Sequence, residues 1–217
     1  MPVESKYGDW PRSGEIDIAE SRGNDGANYT GGRDTVSSSL HWGPAYQFDD
    51  YYLTTDSTHL PRTDFSEDFH IYGMEWTPDY IMTYFDNKLH RVYYTGFSAK
   101  EGTMWQRGDF QHKSVNGTGF QNPWVNGTWN TPFDQDFYLI LNVAVGGTNG
   151  YFADGGCYEI NGATTQYCYR NKPWNNNSPV AMRDFWSAVD DWYPTWGEGS
   201  KRGLTVKSVK MYKLGGC

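Results

Sequence analysis

Periodicity leaves this chain little room for helix. Of its 217 residues only 179–192 (PVAMRDFWSAVDDW) have helical spacing, with Ser178 as the expected N-cap and Pro179 at the first helical position. The other patterned runs are residues 13–20, 36–42, 69–77, 80–87, 89–94, 137–145 and 204–214. Each is short, mixes β-branched and aromatic residues, and is bounded by Gly, Pro, Asn or Asp, as strands are. Residues 71–76 and 80–85, joined through Thr77-Pro78-Asp79, predict a hairpin, and Asp86-Asn87-Lys88 turns the chain into a third strand. The predicted class is all-β. Two stretches, 96–131 and 147–177, are Gly- and Asn-rich with little periodicity, and loops of that length in a compact domain are usually functional or decorated. No internal repeat or linker divides the chain, which predicts a single domain over 1–217.

Charge narrows the partners. With 18 basic and 26 acidic residues, a net of -8, the chain lacks the positive footprint that nucleic acid or an anionic membrane requires. A neutral polymer is compatible with it. Aromatic residues make up 18% of the chain, including 10 Trp and 17 Tyr, which fits an aromatic-rich sandwich or a cleft whose rings stack on sugars. No run approaches the length of a membrane helix. Cys157 and Cys168 lie in one loop and are placed to staple it, whereas Cys217 is left odd, which points to a partner upstream of the chain. Four Asn-x-Ser/Thr triplets, at Asn28, Asn116, Asn126 and Asn176, point to an exported glycoprotein and a secreted, extracellular location.

The most informative stretch is WPRSGEIDIAE, residues 10–20. In a plain strand Glu15 and Asp17 share one face while Ile16 and Ile18 point to the core. Glu20 has the wrong parity, and burying a lone carboxylate would be costly. One extra residue at Ile18-Ala19, a β-bulge, resets the parity and returns Glu20 to the face of the other two acids. Glu15 and Glu20 would then lie four strand positions apart, roughly 13 Å between Cα atoms. Side chains leaning inward across a concave sheet would leave about 5 Å, the separation of a retaining glycosidase rather than an inverting one. One Glu would attack as carboxylate and the other would deliver a proton, with Asp17 helping to hold the two pKa values apart. An acidic strand facing solvent is the alternative for a bare Glu-x-Asp-x-x-Glu.

GEIDIAESRGN, preceded by WPRS, resembles the signature of family 16 glycoside hydrolases, in the subgroup with the extra bulge residue. That subgroup holds laminarinases and the glucan-recognition proteins of invertebrates. The blocks SSSLHWGP, FHIYGMEWTPDYIMTYFDN, FYLILNVAVGG, KPWNNNSPVAMRDFW and LTVKSVKMYKL are similar to family blocks in the same order, so the resemblance covers nearly the whole chain. It implies a concanavalin-like β-jelly-roll sandwich of two antiparallel sheets, with one short helix near the C-terminus. It implies Glu15 as nucleophile, Asp17 as its helper, Glu20 as acid/base, Trp10 as a ring stacking on a glucosyl unit and His41 as a cleft histidine. The expected activity is retaining endo-hydrolysis of β-1,3-glucan, polysaccharide or oligosaccharide, by a monomer without cofactor. A non-catalytic glucan-recognition protein and a transglycosylase are the alternatives on the same scaffold. Only fourteen residues precede Glu15, so the family's N-terminal strands are expected to lie outside the chain. Lys207 matches the position at which many relatives carry a calcium-binding Asp, and His59, His70, His90 and His112 have no ligand spacing, so no metal is expected. Trp42, Glu75 and Trp76 alternate away from the cleft and read as structural; Asn142, inside an apolar run, reads as a buried hydrogen-bonding residue. Trp105 and Trp124, in the long loop, are candidates for contact with distal sugars.

Overall fold

The computed structural model describes residues 1–26, 28–29, 31–159 and 166–213. Its longest strands form two antiparallel sheets. The first contains β1 (Glu15–Glu20), β2 (Thr35–His41) and β3 (Thr55–His59), in the order β1-β2-β3. The second is the meander β4 (Tyr72–Trp76), β5 (Tyr80–Phe85) and β6 (Arg91–Gly96), with the hairpin and third strand that the turn residues predict. Alternation drives the packing. On β2, Val36, Ser38 and Leu40 point inward and are at most 1% exposed, and on β5 Ile81, Thr83 and Phe85 are likewise buried. The hydroxyl of Thr83 donates to that of Ser38 at 2.7 Å, and Ser38 donates in turn to the Ile18 carbonyl, so the polar pair between the layers is satisfied.

The long loop after β6 sends several of its large side chains into the core. It holds the short helix α1 (Met104–Arg107), capped by a reciprocal Thr103–Gln106 box, and a small hairpin of β7 (Ser114–Val115) and β8 (Thr118–Gly119). Met104, Trp105, Phe110, Trp124 and Phe133 pack into one cluster with Leu40, Trp42, Ile81 and Tyr93. This corrects the expectation for two tryptophans. Trp105 and Trp124 are 8% and 6% exposed, ringed by Phe110 and each other, and the Trp124 indole N–H donates to the Arg12 carbonyl. Large rings on an aperiodic loop found burial by folding the loop over the sheet. Trp42 is fully buried, with its indole N–H on the Thr54 hydroxyl. Trp76 donates to the Phe133 carbonyl, and Glu75 pairs with Lys88 and accepts from Tyr80, so all three residues read as structural are so engaged.

Contacts divide the chain into two units, Met1–Ala27 with Gly31–Ile140, and Asn28–Thr30 with Leu141–Cys217. The second unit holds the hairpin of β9 (Gly156–Glu159) and β10 (Gln166–Tyr169), in which Cys157 faces Cys168 and the two form a disulfide. Cys217 lies outside the described residues. The expected C-terminal helix is two pieces, α2 (Ala181–Ser187) and α3 (Val189–Trp192), broken at Ala188. Ser178 is not its N-cap: the cap position falls on Val180, and the Ser178 hydroxyl instead accepts from the Val180 amide and donates to Asp184. Phe185 stacks on Trp192 and meets Trp174 edge-on, which gives α2 and α3 their apolar contact.

Two expected strands are absent among the described residues. Apart from one bridge between Phe137 and Pro2, residues 137–145 pair with nothing among the described residues, and 204–213 likewise stay outside any ladder. A strand needs a neighbour for its backbone groups as well as a strand-like sequence. Beyond Phe137, which packs on Trp76, the large apolar side chains of both runs are therefore left open, with Leu141 at 55% and Val209 at 54% exposure. Asn142, read as buried, is exposed for the same reason. Among the described residues no helix is long and apolar enough to cross a membrane.

Candidate functional site

The three acids sit on β1, and the strand has the inserted residue. Glu15 faces His41, Asp17 faces Ser39 and Glu20 faces Ser37. Between the last two pairs β1 spends Ile18 and Ala19 where β2 spends only Ser38, which is a β-bulge. The extra residue gives Glu15, Asp17 and Glu20 a common parity, on the face opposite Ile16 and the core.

The approach to β1 is tightly held. Gly14 has φ +79°, and a Cβ there would stand 3.0 Å from the Phe133 ring, so this position requires glycine. Gln135 donates to the Ser13 carbonyl, Arg12 donates to the Pro44 carbonyl, and the Ser13 hydroxyl accepts from the Tyr7 amide. These contacts hold the turn that follows Trp10, whose indole N–H donates to Glu15 Oε2 at 2.6 Å. The family resemblance implies a stacking role for Trp10 and gives no sign of this bond, because five residues of strand spacing do not reveal a turn that folds the ring back onto the acid. The Trp10 ring also lies 5.6 Å from both His41 and Tyr46.

His41 stands beside Asp17, with Nε2 3.0 Å from Asp17 Oδ2. Its Nδ1 lies 2.6 Å from Asp49 Oδ2, and the Tyr51 ring stacks on it at 5.0 Å. Asp49 and Tyr51 come from the loop after β2, which the sequence reading leaves unassigned. That loop closes on itself: a Cβ on Gly43 would fall 1.8 Å from the Phe48 carbonyl oxygen, the Asp50 amide donates to the Trp42 carbonyl, and the Trp42 amide donates to Asp49 Oδ1. Next to it, buried Asp50 receives Lys113 at 2.7 Å, and the ammonium lies over the Phe110 ring. Lys113→Met should cost about 3 kcal/mol, because it leaves a buried carboxylate without its counter-charge. Adding Asp50→Asn should return part of that loss in urea denaturation. Equal stability of Lys113→Met and the unsubstituted protein would show that the pair does not hold the loop.

The acids are electrostatically unequal. Burial raises Glu15 above the ordinary carboxylate range and Asp17 adds to this, while the hydrogen bond from Trp10 works the other way. Burial, with Asp17 again in support, pushes Glu20 up to about 7, and no hydrogen bond from an indole relieves it. Burial opposes charge on His41, but the bonds to Asp17 and Asp49 more than offset it and push the ring up to about 10. One face thus carries a half-buried carboxyl with a donor on it, a second carboxyl that holds its proton to near neutrality, and a cation between two carboxylates. Such a site is suited to nucleophilic attack paired with proton delivery. Three exposed or half-exposed rings, Tyr46, Tyr51 and Tyr52, stand at its edge. Among the described residues no group of three His, Cys, Asp or Glu is arranged to hold a metal ion.

The family described as glycosyl hydrolases family 16 matches residues 3–135, which include all three acids. A β-1,3-glucan-binding protein of Penaeus monodon is 40% identical over 99% of this chain and 53% of its own length. A glucan endo-1,3-β-glucosidase of Cryptopygus antarcticus is 37% identical over 68% of this chain and 43% of its own. Gram-negative bacteria-binding protein 1 of Drosophila melanogaster is 30% identical over 92% of this chain and 34% of its own. The chain spans about half the length of the first two of these relatives.

Proposed function

Because the chain belongs to glycosyl hydrolase family 16, we propose that it is the catalytic portion of a secreted, retaining endo-β-1,3-glucanase. One observation carries the reading: the bulge in β1 returns Glu20 to the parity of Glu15 and Asp17. Glu15, held by the Trp10 indole, attacks the anomeric carbon as a carboxylate. Glu20, protonated up to about pH 7, passes its proton to the departing glycosidic oxygen. It then takes a proton from the water that releases the glycosyl group from Glu15. Asp17 and His41 hold the charge between them, and Trp10 with the neighbouring tyrosines offers flat rings to the glucosyl faces. The named glucosidase among the relatives supports β-1,3-linkage as the target.

A second reading has its own support. Two of the three relatives above are named for binding, one to glucan and one to bacteria, so the same face would serve recognition without hydrolysis. One experiment separates the two. Full-length protein is mixed with laminarin, and the first-formed ends are followed by proton NMR. The enzyme reading expects β-anomers first. α-Anomers first would overturn retention, and retention of glucan on pull-down with no new reducing ends would replace the enzyme by the recognition protein.

A further inference from the structure

We propose that Asp49 is a positioning residue of the carboxylate site: it grips the His41 ring from behind through Nδ1, aims Nε2–H at Asp17 and keeps a positive charge beside the acids. The proposal deepens the enzyme reading and rests on it for its catalytic consequence.

The geometry is a line of three groups. Asp49 Oδ2 lies 2.6 Å from Nδ1, and Asp17 Oδ2 lies 3.0 Å from Nε2 of the same ring. A carboxylate only accepts hydrogen bonds, so each ring nitrogen must present an N–H to its partner, and only the imidazolium has both. A neutral ring would turn one lone pair against a carboxylate. The line is braced at its far end. Asp49 Oδ1 accepts the Trp42 amide at 3.1 Å, and its side chain is 9% exposed against 20% for His41 and 19% for Asp17. Trp10 and Tyr51 confine the ring from its sides. The charged groups around His41 are Glu15, Asp17 and Glu20 from β1 and Asp49 from the loop, and Arg22 acts on Glu20. The cation lowers the pKa of both glutamates, against Asp17, which raises both. Without Asp49 the ring would lose its charge near neutral pH, and both glutamates would hold their protons to higher pH.

Asp49→Asn is the test, because Asn can still accept the Trp42 amide and offer an N–H to Nδ1 of a neutral ring. In the full-length protein the His41 ring is followed by NMR through a pH titration, and kcat/KM on laminarin is measured over the same range. The unsubstituted ring should keep both N–H protons to about pH 9. In Asp49→Asn it should lose one at least about two pH units lower. The bell of kcat/KM should move to higher pH as a whole, by roughly half a unit to one unit, with kcat falling about tenfold or more and KM held within about threefold. A loss of activity with an unmoved bell would assign Asp49 to folding alone and overturn the proposal. So would an unsubstituted His41 that titrates near 6.5, a result that needs no variant. If the unsubstituted protein does not hydrolyse glucan, the enzyme reading fails by itself, and the two ring titrations still decide the role of Asp49.

Discussion

Glu15→Gln should lower kcat on laminarin by roughly 10⁴-fold or more, the scale on which enzymes lose activity when the nucleophile is removed. The reason is chemical rather than steric. The amide keeps the shape of the side chain and can still accept the Trp10 indole N–H, so the turn at residues 10–15 and the fold survive. What it lacks is the negatively charged oxygen that forms the glycosyl ester. Binding of laminari-oligosaccharides should therefore stay within about threefold of the unsubstituted protein, since only the transition state has lost a partner. A second arm assigns the role uniquely. In Glu15→Ala an α-glycosyl fluoride has the configuration of the missing intermediate, and Glu20 remains to deprotonate an acceptor hydroxyl, so β-linked oligomers should accumulate without hydrolysis. Activity of Glu15→Gln within tenfold of the unsubstituted protein would remove Glu15 from the mechanism.

The part of the site that the sequence discloses is the part that follows from parity. Residues Glu15 to Glu20 form a strand in which a sixth residue conflicts with burial, and a bulge is the local solution, so the placement of three acids is legible before any coordinates. Asp49 is invisible to the same logic. It reaches His41 through a loop whose closure depends on Gly43 meeting the Phe48 carbonyl and on Asp50 finding Lys113, more than sixty residues away in sequence. The edge strand β3 also escapes notice, because TDSTH lacks the large β-branched and aromatic residues that mark a strand; it forms because Thr35–His41 offers it a complete ladder. The runs at 137–145 and 204–213 show the converse. Their composition suits a strand, yet composition cannot supply the neighbouring backbone, and among the described residues only the bridge from Pro2 to Phe137 does so.

Replacing Glu20 should change both the pH dependence of activity and that of stability, in directions fixed by its environment. In the unsubstituted protein Glu20 must carry its proton and Glu15 must not, so kcat/KM should fall as pH rises through about 7, where Glu20 ionises. Glu20→Gln cannot donate, and hydrolysis of laminarin should drop roughly 10²- to 10⁴-fold, the span that general acid–base catalysis supplies. An aryl glycoside whose phenol leaves without a proton should still glycosylate Glu15, give a burst of phenol, and show no alkaline limb in that burst. The stability consequence follows from linkage. Because the folded pKa of Glu20 lies above its unfolded value, the folded state holds a proton that the unfolded state has released between about pH 4.5 and 7. Stability from this group is therefore full below that window and lost as pH rises through it. The glutamine variant escapes the loss, so its Tm should match the unsubstituted protein near pH 4.5 and exceed it by on the order of 5 °C at pH 8. Opposite behaviour, with the variant weaker at pH 8, would mean that Glu20 is stabilised as an anion by groups on β1 and β2. It would then be the wrong residue to carry the proton.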